Sequence, residues 1–245
     1  MRSVDTTRPA SDRDGLRTRS VARAGVLSAV TLLLGWTHLG FIPVPTPAGA
    51  ATILHIPAIL AGVLEGPTAG FLVGMVFGLF SFLQASIPLF KDPIVAIVPR
   101  LVIGVTAGYA YRVFSKSSRG WVLGSGLLGA CIVGLFAWQV ALSTLWLGIV
   151  VGVLALALAA GTVLAVMREE RERVAIGLAA VTGTLTNTVL VLTLGVLRGY
   201  LPDFGTAAFI GVTHGVPEIA VAVIVTLAVA VSWKRLERPD TGARL

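Results

Sequence analysis

Charged residues are scarce in this sequence of 245 residues, since only 13% are charged while 56% are hydrophobic, and the mean hydropathy is +0.90. A water-soluble globule needs a more polar exterior than this composition can supply. Polar residues are also too few for the alternating strands of a transmembrane β-barrel. The composition therefore predicts an all-α, polytopic membrane protein with room for roughly six to eight spans of about 20 residues each.

The sequence also lacks the signatures of the common catalytic sites. It contains no His-Glu-x-x-His metal pair, no Gly-x-Ser-x-Gly elbow and no Gly-x-x-x-x-Gly-Lys phosphate loop. The single cysteine, Cys131, lies in an apolar run, where we expect a small buried side chain without a disulfide or metal role. We therefore expect no enzyme, no catalytic residue, no metal and no cofactor, and the chain cannot hydrolyse ATP unaided.

Apolar runs separated by proline, glycine and charged residues predict the domain organisation. Residues 1–21 form a disordered cytoplasmic tail, residues 22–235 a single transmembrane domain and residues 236–245 a second cytoplasmic tail. Six spans are predicted at about Ala22–Phe41, Thr52–Leu64, Pro67–Ile87, Ile94–Phe114, Val174–Leu197 and Ala207–Trp233.

Two further spans are predicted within residues 120–167. The uncharged stretch 121–167 would make a helix of roughly 70 Å, more than twice the thickness of the bilayer core, so it must fold back as a helical hairpin. Its turn is predicted at the polar cluster Gln139, Ser143 and Thr144. Between the first two spans, Pro43, Pro45 and Pro47 predict an extended, uncharged loop.

The net charge of +7, from 19 basic against 12 acidic residues, is explained by topology. With eight spans and both termini in the cytoplasm, most Lys and Arg residues fall in cytoplasmic segments, as the positive-inside rule requires. The basic residues then face anionic lipid at the cell membrane, and no nucleic-acid partner is expected.

Ionisable side chains at membrane depth are the first candidates for function, because each is costly unless it is paired or faces water. Arg100 and Glu218 each follow a proline within the outer half of a span. A structural ion pair between them and capture of a ligand carboxylate by Arg100 are equally favoured. Asn187, His214 and Gln84 are further candidates, although hydrogen bonds between helices would explain them more simply.

Small residues recur at helical spacing in two places. Glycines 62, 66, 70, 74 and 78 predict close helix packing inside the monomer. Gly25 and Ala29, four residues apart in the first span, suit docking against another helix, but internal packing explains them equally well.

Several motifs in order along the chain resemble the substrate-binding S components of energy-coupling factor (ECF) transporters. They are Leu54–Gly62 followed by Leu64-Glu65-Gly66-Pro67, a glycine-rich third helix, Asp92-Pro93 before Val98–Leu101 with Gly104, Gly183–Thr188, and His214–Glu218. The similarity covers about residues 22–115 and 174–235, and the folate and pantothenate branch is the most similar.

The resemblance implies a membrane subunit that captures a vitamin outside the cell. ATP-driven uptake would then need a transmembrane scaffold subunit and two ATPase subunits as partners. It implies a six-helix core, so that residues 120–167 are an insertion, and it implies that Gly25 and Ala29 dock on the scaffold. It places the substrate at Arg100, Asn187 and Glu218, with Gln84 and His214 as weaker matches. The substrate expected is a pantothenate- or folate-like carboxylate.

Two other functions remain open at this point. A stand-alone secondary transporter could use Arg100 and Glu218 as a proton- or ion-linked relay. An intramembrane enzyme would need a reactive cluster that the sequence does not offer.

Overall fold

A computed structural model describes residues 10–46, 49–143 and 171–237, together with isolated helical positions between 145 and 167. Within these residues the chain is mainly helical, and the helices Pro93–Lys116, Arg171–Leu197 and Phe204–Leu236 are long and apolar enough to cross a membrane. The protein is therefore a helical membrane protein. Its elements in order are α1 (Ala10–Trp36), β1 (Phe41–Thr46), β2 (Gly49–Thr52), α2 (Ile56–Leu64), α3 (Pro67–Leu83), α4 (Pro88–Lys91), α5 (Pro93–Lys116), α6 (Arg119–Ser143), α7 (Arg171–Leu197) and α8 (Phe204–Glu237).

Helices α1, α2, α3, α5, α7 and α8 pack side by side, and each runs opposite in direction to the one before it in this series. Helix α2 lies in the middle, where it contacts the other five. Its residues from Ile56 to Val63 are all buried. With nine residues it is about 13.5 Å long, so it cannot cross the hydrocarbon core by itself, contrary to the span predicted there.

Glycine allows α2, α3 and α5 to approach until their backbones touch. A methyl group on Gly104 of α5 would lie 2.5 Å from the Cα of Gly70 on α3 and 2.6 Å from the carbonyl oxygen of Ala58 on α2. Gly62 faces the Gly104 carbonyl in the same way. The predicted close packing of the glycine stripe inside the monomer is confirmed.

The chain breaks between these helices follow from local sequence. Gly66 has φ of 102°, a conformation that only glycine adopts without strain, and Pro67 then starts α3. At the start of α5 the Asp92 carboxylate accepts a hydrogen bond from the Ile94 N–H at 2.9 Å, and Pro93 fills the first helical turn.

The proline-rich loop is more ordered than the sequence indicated. It forms an antiparallel hairpin in which Phe41 pairs with Thr52 and Ile42 with Ala51, with an irregularity between Pro43 and Thr46. Proline is tolerated because both strands of a two-stranded sheet are edges. An all-α fold is therefore correct for the membrane-spanning part, and this hairpin is the exception within the described residues.

Three other predictions need correction. The tail expected to be disordered over residues 1–21 is helical from Ala10, since extending an existing helix costs far less than nucleating one. Gln139, placed at a turn, lies within α6, because a polar side chain does not by itself end a helix; Ser143 is the last residue of α6, and Thr144 lies outside the described residues. Cys131 is exposed rather than buried, since apolar surface can face lipid.

Candidate functional site

A cavity of about 700 Å³ opens between the hairpin and the ends of α1, α3, α5, α7 and α8. Aromatic and aliphatic side chains form most of its wall, including Trp36, Phe77, Phe90, Leu192 and Ile210. A largely apolar cavity with a few polar groups is typical of a site for a small organic molecule. All five residues selected from the sequence line it, namely Gln84, Arg100, Asn187, His214 and Glu218.

Arg100 is held in the wall of this cavity by its own helix. Pro99 has no N–H, so the carbonyl of Val95 lacks its usual helical partner. The Arg100 Nη1 donates to that carbonyl at 2.9 Å. Pro99 therefore leaves the Val95 carbonyl without a backbone partner, and Arg100 supplies the missing hydrogen bond. This bond folds the guanidinium back along α5.

The guanidinium of Arg100 also keeps bonding capacity for a ligand. It lies over the rings of Phe90 and Phe77, 4.7 Å and 5.5 Å from their centroids. The side chain is only 3% exposed, and its Nε has no hydrogen-bond partner among the described residues. A buried cation with an unused donor at a cavity wall suits a carboxylate, which the planar guanidinium can bind with two parallel hydrogen bonds.

Asn187 and Glu218 supply polar groups from α7 and α8. Both are buried, and the Oδ1 of Asn187 has no hydrogen-bond partner in the part of the chain that the structure describes, so it can accept from an amide or hydroxyl group of a ligand. Glu218 accepts a hydrogen bond from the Thr52 N–H at 2.6 Å, which ties β2 to α8. His214 lines the cavity and is buried, whereas Gln84 is exposed at its rim.

The structural ion pair between Arg100 and Glu218 is not formed. The ion pairs within 4.0 Å among the described residues include Arg23–Glu65, Arg198–Asp92 and Lys234–Glu172, and Arg100 and Glu218 have the separate partners given above. Arg100 and Glu218 thus both line the cavity without forming a direct ion pair. This arrangement favours ligand binding over helix fastening as the role of Arg100.

The comparisons with known proteins agree with this geometry. The family described as ECF transporter, substrate-specific component, matches residues 19–155, more than half of the chain. The chain belongs to this family.

Two relatives of the S component are pantothenate transporters. The pantothenic acid transporter PanT of Lactococcus lactis subsp. cremoris is 26% identical over 182 residues, which cover 73% of this chain and 74% of the relative. The pantothenate transporter PanT of Leuconostoc mesenteroides subsp. mesenteroides is 31% identical over 109 residues, covering 40% of this chain and 52% of the relative. The family and both relatives are transporter components, not enzymes.

The small-residue pair on α1 of the S component points away from the bundle. Gly25 and Ala29 are both exposed, and a methyl group on Gly25 would meet no atom of the described ranges within 4 Å. Internal packing, the alternative explanation for this pair, is therefore wrong within the described residues.

The sequence did not indicate two features of the site. One is the pair of rings, Phe77 and Phe90, beside Arg100, and the other is the buried contact between His55 and Thr184 below the cavity. Phe77 lies between Gly74 and Gly78 on the stripe that packs on α5, so its position beside Arg100 follows from that register. His55 is fully buried, and its Nε2 lies 3.0 Å from the Oγ1 of Thr184. The Gly183–Thr188 motif thus supplies Asn187 and Thr188 to the cavity wall and Thr184 to its support.

Asp92 connects two chain segments near the rim of the cavity. Arg198 Nε donates to its carboxylate at 2.7 Å, and the Tyr200 hydroxyl lies 3.4 Å away, so the loop before α5 is joined to the end of α7. Burial raises the pKa of the Asp92 carboxyl, but the bond from Arg198 and those from the backbone outweigh it. The pKa is therefore lowered from its ordinary value of 3.8.

Proposed function

We propose that this S component binds a carboxylate-bearing vitamin in the cavity, with pantothenate as the first candidate and a folate-like molecule as the second. The observation that carries the proposal is the buried guanidinium of Arg100, which retains an unused donor at the cavity wall. The pantothenate relatives support the choice of substrate.

The chemistry of pantothenate suits the distribution of groups around the cavity. Its carboxylate would bind Arg100, and its amide and hydroxyl groups would bind Asn187 and Glu218, with Gln84 and His214 at the edges. Its geminal dimethyl group would contact apolar wall residues such as Leu192 and Ile210. The hairpin β1–β2, held by Glu218, would cover the ligand and exclude water from the charged contacts.

The proposal includes an orientation in which the cavity opens outside the cell. The opposite end of the bundle carries Arg23, Arg112, Lys116, Arg171 and Lys234, whereas Arg198 at the cavity end is paired with Asp92. The positive-inside rule then places both termini in the cytoplasm. The chain would then cross the membrane eight times, twice in the insertion at residues 120–167 and six times in the core, where the short α2 would cross together with the segment before it.

Uptake would require partners. A transmembrane scaffold subunit and two ATPase subunits would drive delivery inward, and the exposed Gly25–Ala29 face of α1 would dock on the scaffold. The lipid bilayer of the plasma membrane is the surrounding medium.

The test is pantothenate binding to the detergent-purified protein, measured by calorimetry, with mass spectrometry of any small molecule that co-purifies. Arg100→Ala should weaken binding on the order of 100-fold, because the ligand carboxylate loses a buried charged partner. Arg100→Lys keeps the charge without the forked geometry and should lie between the two. Gln84→Ala, a change at the exposed rim, is the matched control and should lose much less.

The proposal is wrong if folded wild-type protein binds neither pantothenate nor folate, or if Arg100→Ala and Arg100→Lys both fold and bind like wild type. If Arg100→Ala fails to fold, the lysine variant alone decides the matter.

A further inference from the structure

The two walls of the substrate cavity differ in charge. Among the described residues that line it, four are titratable, namely Arg100 of α5, His214 and Glu218 of α8, and His38 after α1. Arg100 is the cation and Glu218 the anion, while imidazole groups are ordinarily neutral near pH 8. On the basis of the proposed function, we infer that Glu218 determines specificity: the site accepts a substrate with one negative charge whose other polar groups donate hydrogen bonds, and it rejects a second anionic group.

The α5 wall provides donors for one anionic group. A guanidinium has hydrogen-bond donors and no acceptor. The Nη1 of Arg100 already donates to the Val95 carbonyl at 2.9 Å, whereas its Nε has no partner among the described residues. The rings of Phe77 and Phe90 lie beside the same guanidinium, with centroids 5.5 Å and 4.7 Å from its central carbon, and offer no polar group. We therefore expect Arg100 to pair with one substrate carboxylate.

The opposite wall provides acceptors. A carboxylate accepts hydrogen bonds and has no donor, and the Oε1 of Glu218 accepts from the Thr52 N–H at 2.6 Å. That peptide group carries no charge, so it does not neutralise Glu218. The Oδ1 of Asn187 on α7 is a second acceptor, without a partner in the part of the chain that the structure describes. Hydroxyl and amide N–H groups suit this wall, whereas an anionic group would face acceptors and a like charge.

The sequence limits which other charges can reach the cavity. Residues 39–54, which include the hairpin, and residues 120–167 contain no charged side chain. Charged residues outside the described ranges adjoin the other end of the bundle, at the starts of α1 and α7 and the end of α8. At the rim, Asp92 and Arg198 pair with each other at 2.7 Å. A substrate carboxylate therefore balances Arg100, and a second negative charge would find no further arginine or lysine among the described lining residues.

Size does not explain the exclusion of a second anionic group, since a cavity of about 700 Å³ is large enough for a molecule of drug size. The repulsion follows from burial, because Glu218 is 5% exposed and charges interact more strongly away from water. Pantothenate has one carboxylate, and its hydroxyl groups are donors, so it meets both conditions. Folate has two carboxylates, so the charge of the cavity favours pantothenate of the two candidates.

Calorimetry on the full-length, detergent-purified protein near pH 8 would test this inference with three ligands. The first is pantothenate, and in the other two a carboxamide or a carboxylate replaces its hydroxymethyl group. These two replacements have the same shape, but the carboxamide is neutral and donates N–H bonds, whereas the carboxylate is anionic. The variant Glu218→Gln removes the charge of the acceptor wall.

Asp203→Asn is the matched control. Asp203 is exposed just before α8 and is not among the residues that line the cavity. It accepts a hydrogen bond from the Thr206 N–H at 2.7 Å, which asparagine can also accept. The control therefore removes one negative charge from the same end of the protein without changing the cavity wall.

We expect wild type to bind the carboxylate analogue on the order of 100-fold or more weakly than the carboxamide analogue. Glu218→Gln should reduce this ratio to about tenfold or less, because the glutamine amide is uncharged and can donate to the added carboxylate. Asp203→Asn should keep the ratio of wild type.

Equal affinity of wild type for the two analogues, or an equal loss of both, would overturn the inference. So would the same ratio in Glu218→Gln as in wild type. If Glu218→Gln does not fold, Asn187→Asp takes its place: a second carboxylate on the acceptor wall should increase the ratio, and an unchanged ratio would overturn the inference. In each of these cases binding of pantothenate itself leaves the proposed function standing, whereas folded wild type that binds no pantothenate counts against the proposed function.

Discussion

At the scale of single residues, glycine allows the backbones of neighbouring helices to approach each other closely, because it has no side chain. Gly104 has backbone of both α2 and α3 at the place where a side chain would begin. Gly104→Ala should therefore push α5 away from its neighbours and lower the free energy of unfolding by about 1–3 kcal/mol, the usual cost of overpacking. Thermal unfolding in detergent would measure the loss.

Gly177 of α7 is the matched control for that change. A methyl group there would meet side-chain atoms only at 3.9 and 4.0 Å, which is ordinary contact. Gly177→Ala should leave stability unchanged or raise it by up to about 1 kcal/mol, because alanine favours a helix interior. If both variants unfold at the same temperature as wild type, the backbone contact at Gly104 does not limit stability.

A second prediction at this scale concerns acid stability. The pKa of Asp92 is lower in the folded protein than its ordinary value of 3.8, so its carboxylate stabilises the fold above that pH. The stabilisation is lost as the pH falls through the lowered pKa, when the carboxylate is protonated and its bond to Arg198 weakens. The melting temperature of wild type should fall in this acidic range, whereas Asp92→Asn should start lower and vary less with pH. Identical pH profiles for the two proteins would contradict this account.

The identities of the site residues could be predicted from sequence to a useful extent. Arg100, Asn187 and Glu218 were selected because ionisable and amide groups are costly at membrane depth, and they do line one cavity. Their partners could not be predicted, since no sequence pattern shows that Arg100 takes the Val95 carbonyl or that Glu218 takes the Thr52 N–H. The first bond depends on how the Arg100 side chain folds back along its own helix, and the second depends on tertiary placement.

At the scale of elements, the side chain of Glu218 joins the hairpin β1–β2 to α8. If the Thr52–Glu218 bond holds the hairpin over the ligand, Glu218→Ala should raise the dissociation rate of bound vitamin by roughly 10- to 100-fold, the loss expected for a hydrogen bond to a charged group. Glu218→Gln keeps an acceptor oxygen and should stay much closer to wild type. Stopped-flow release of the ligand would measure both rates.

The comparison of these two variants separates two roles of Glu218. Equal effects of glutamine and alanine would mean that the charge acts on the ligand directly and that the hairpin bond is incidental. Protease sensitivity of the hairpin provides a second measurement, because a released hairpin should be cut faster in Glu218→Ala than in Glu218→Gln.

Most helix limits could be predicted from the hydrophobic runs and from the residues that interrupt them. The end of α2 at Leu64, the start of α3 at Pro67 and the end of α7 at Leu197 agree with the predicted limits. The hairpin was missed because proline predicts an extended chain without showing what pairs with it. The short length of α2 was missed because a buried half-helix is as apolar as a full span.

At the scale of the whole molecule, the outer face of α1 is exposed. Ala29 and Val30 are both exposed and point about 100° apart around the helix. Under the proposed function, Ala29→Trp should block co-purification of the scaffold and ATPase subunits from cells that express them together, because the bulky ring prevents close helix approach. Val30→Trp should allow it.

Substrate binding by the same purified variants is the control for this prediction. Both tryptophan variants should bind substrate like wild type, since neither position lines the cavity. Loss of partners in both variants, or in neither, would contradict docking through the Gly25–Ala29 face.

The backbone contacts between α2, α3 and α5 have a consequence for how selectivity could be redesigned. Where glycine backbones touch, there are no side chains to repack, so the wall that carries Phe77 and Arg100 behaves as a fixed template. The facing wall, with Asn187, Leu192 and Ile210, is built from side chains that can be exchanged one at a time. Under the proposed function, a library that varies the α7 and α8 wall and leaves Arg100 unchanged should therefore yield folded proteins that bind carboxylates of different shape.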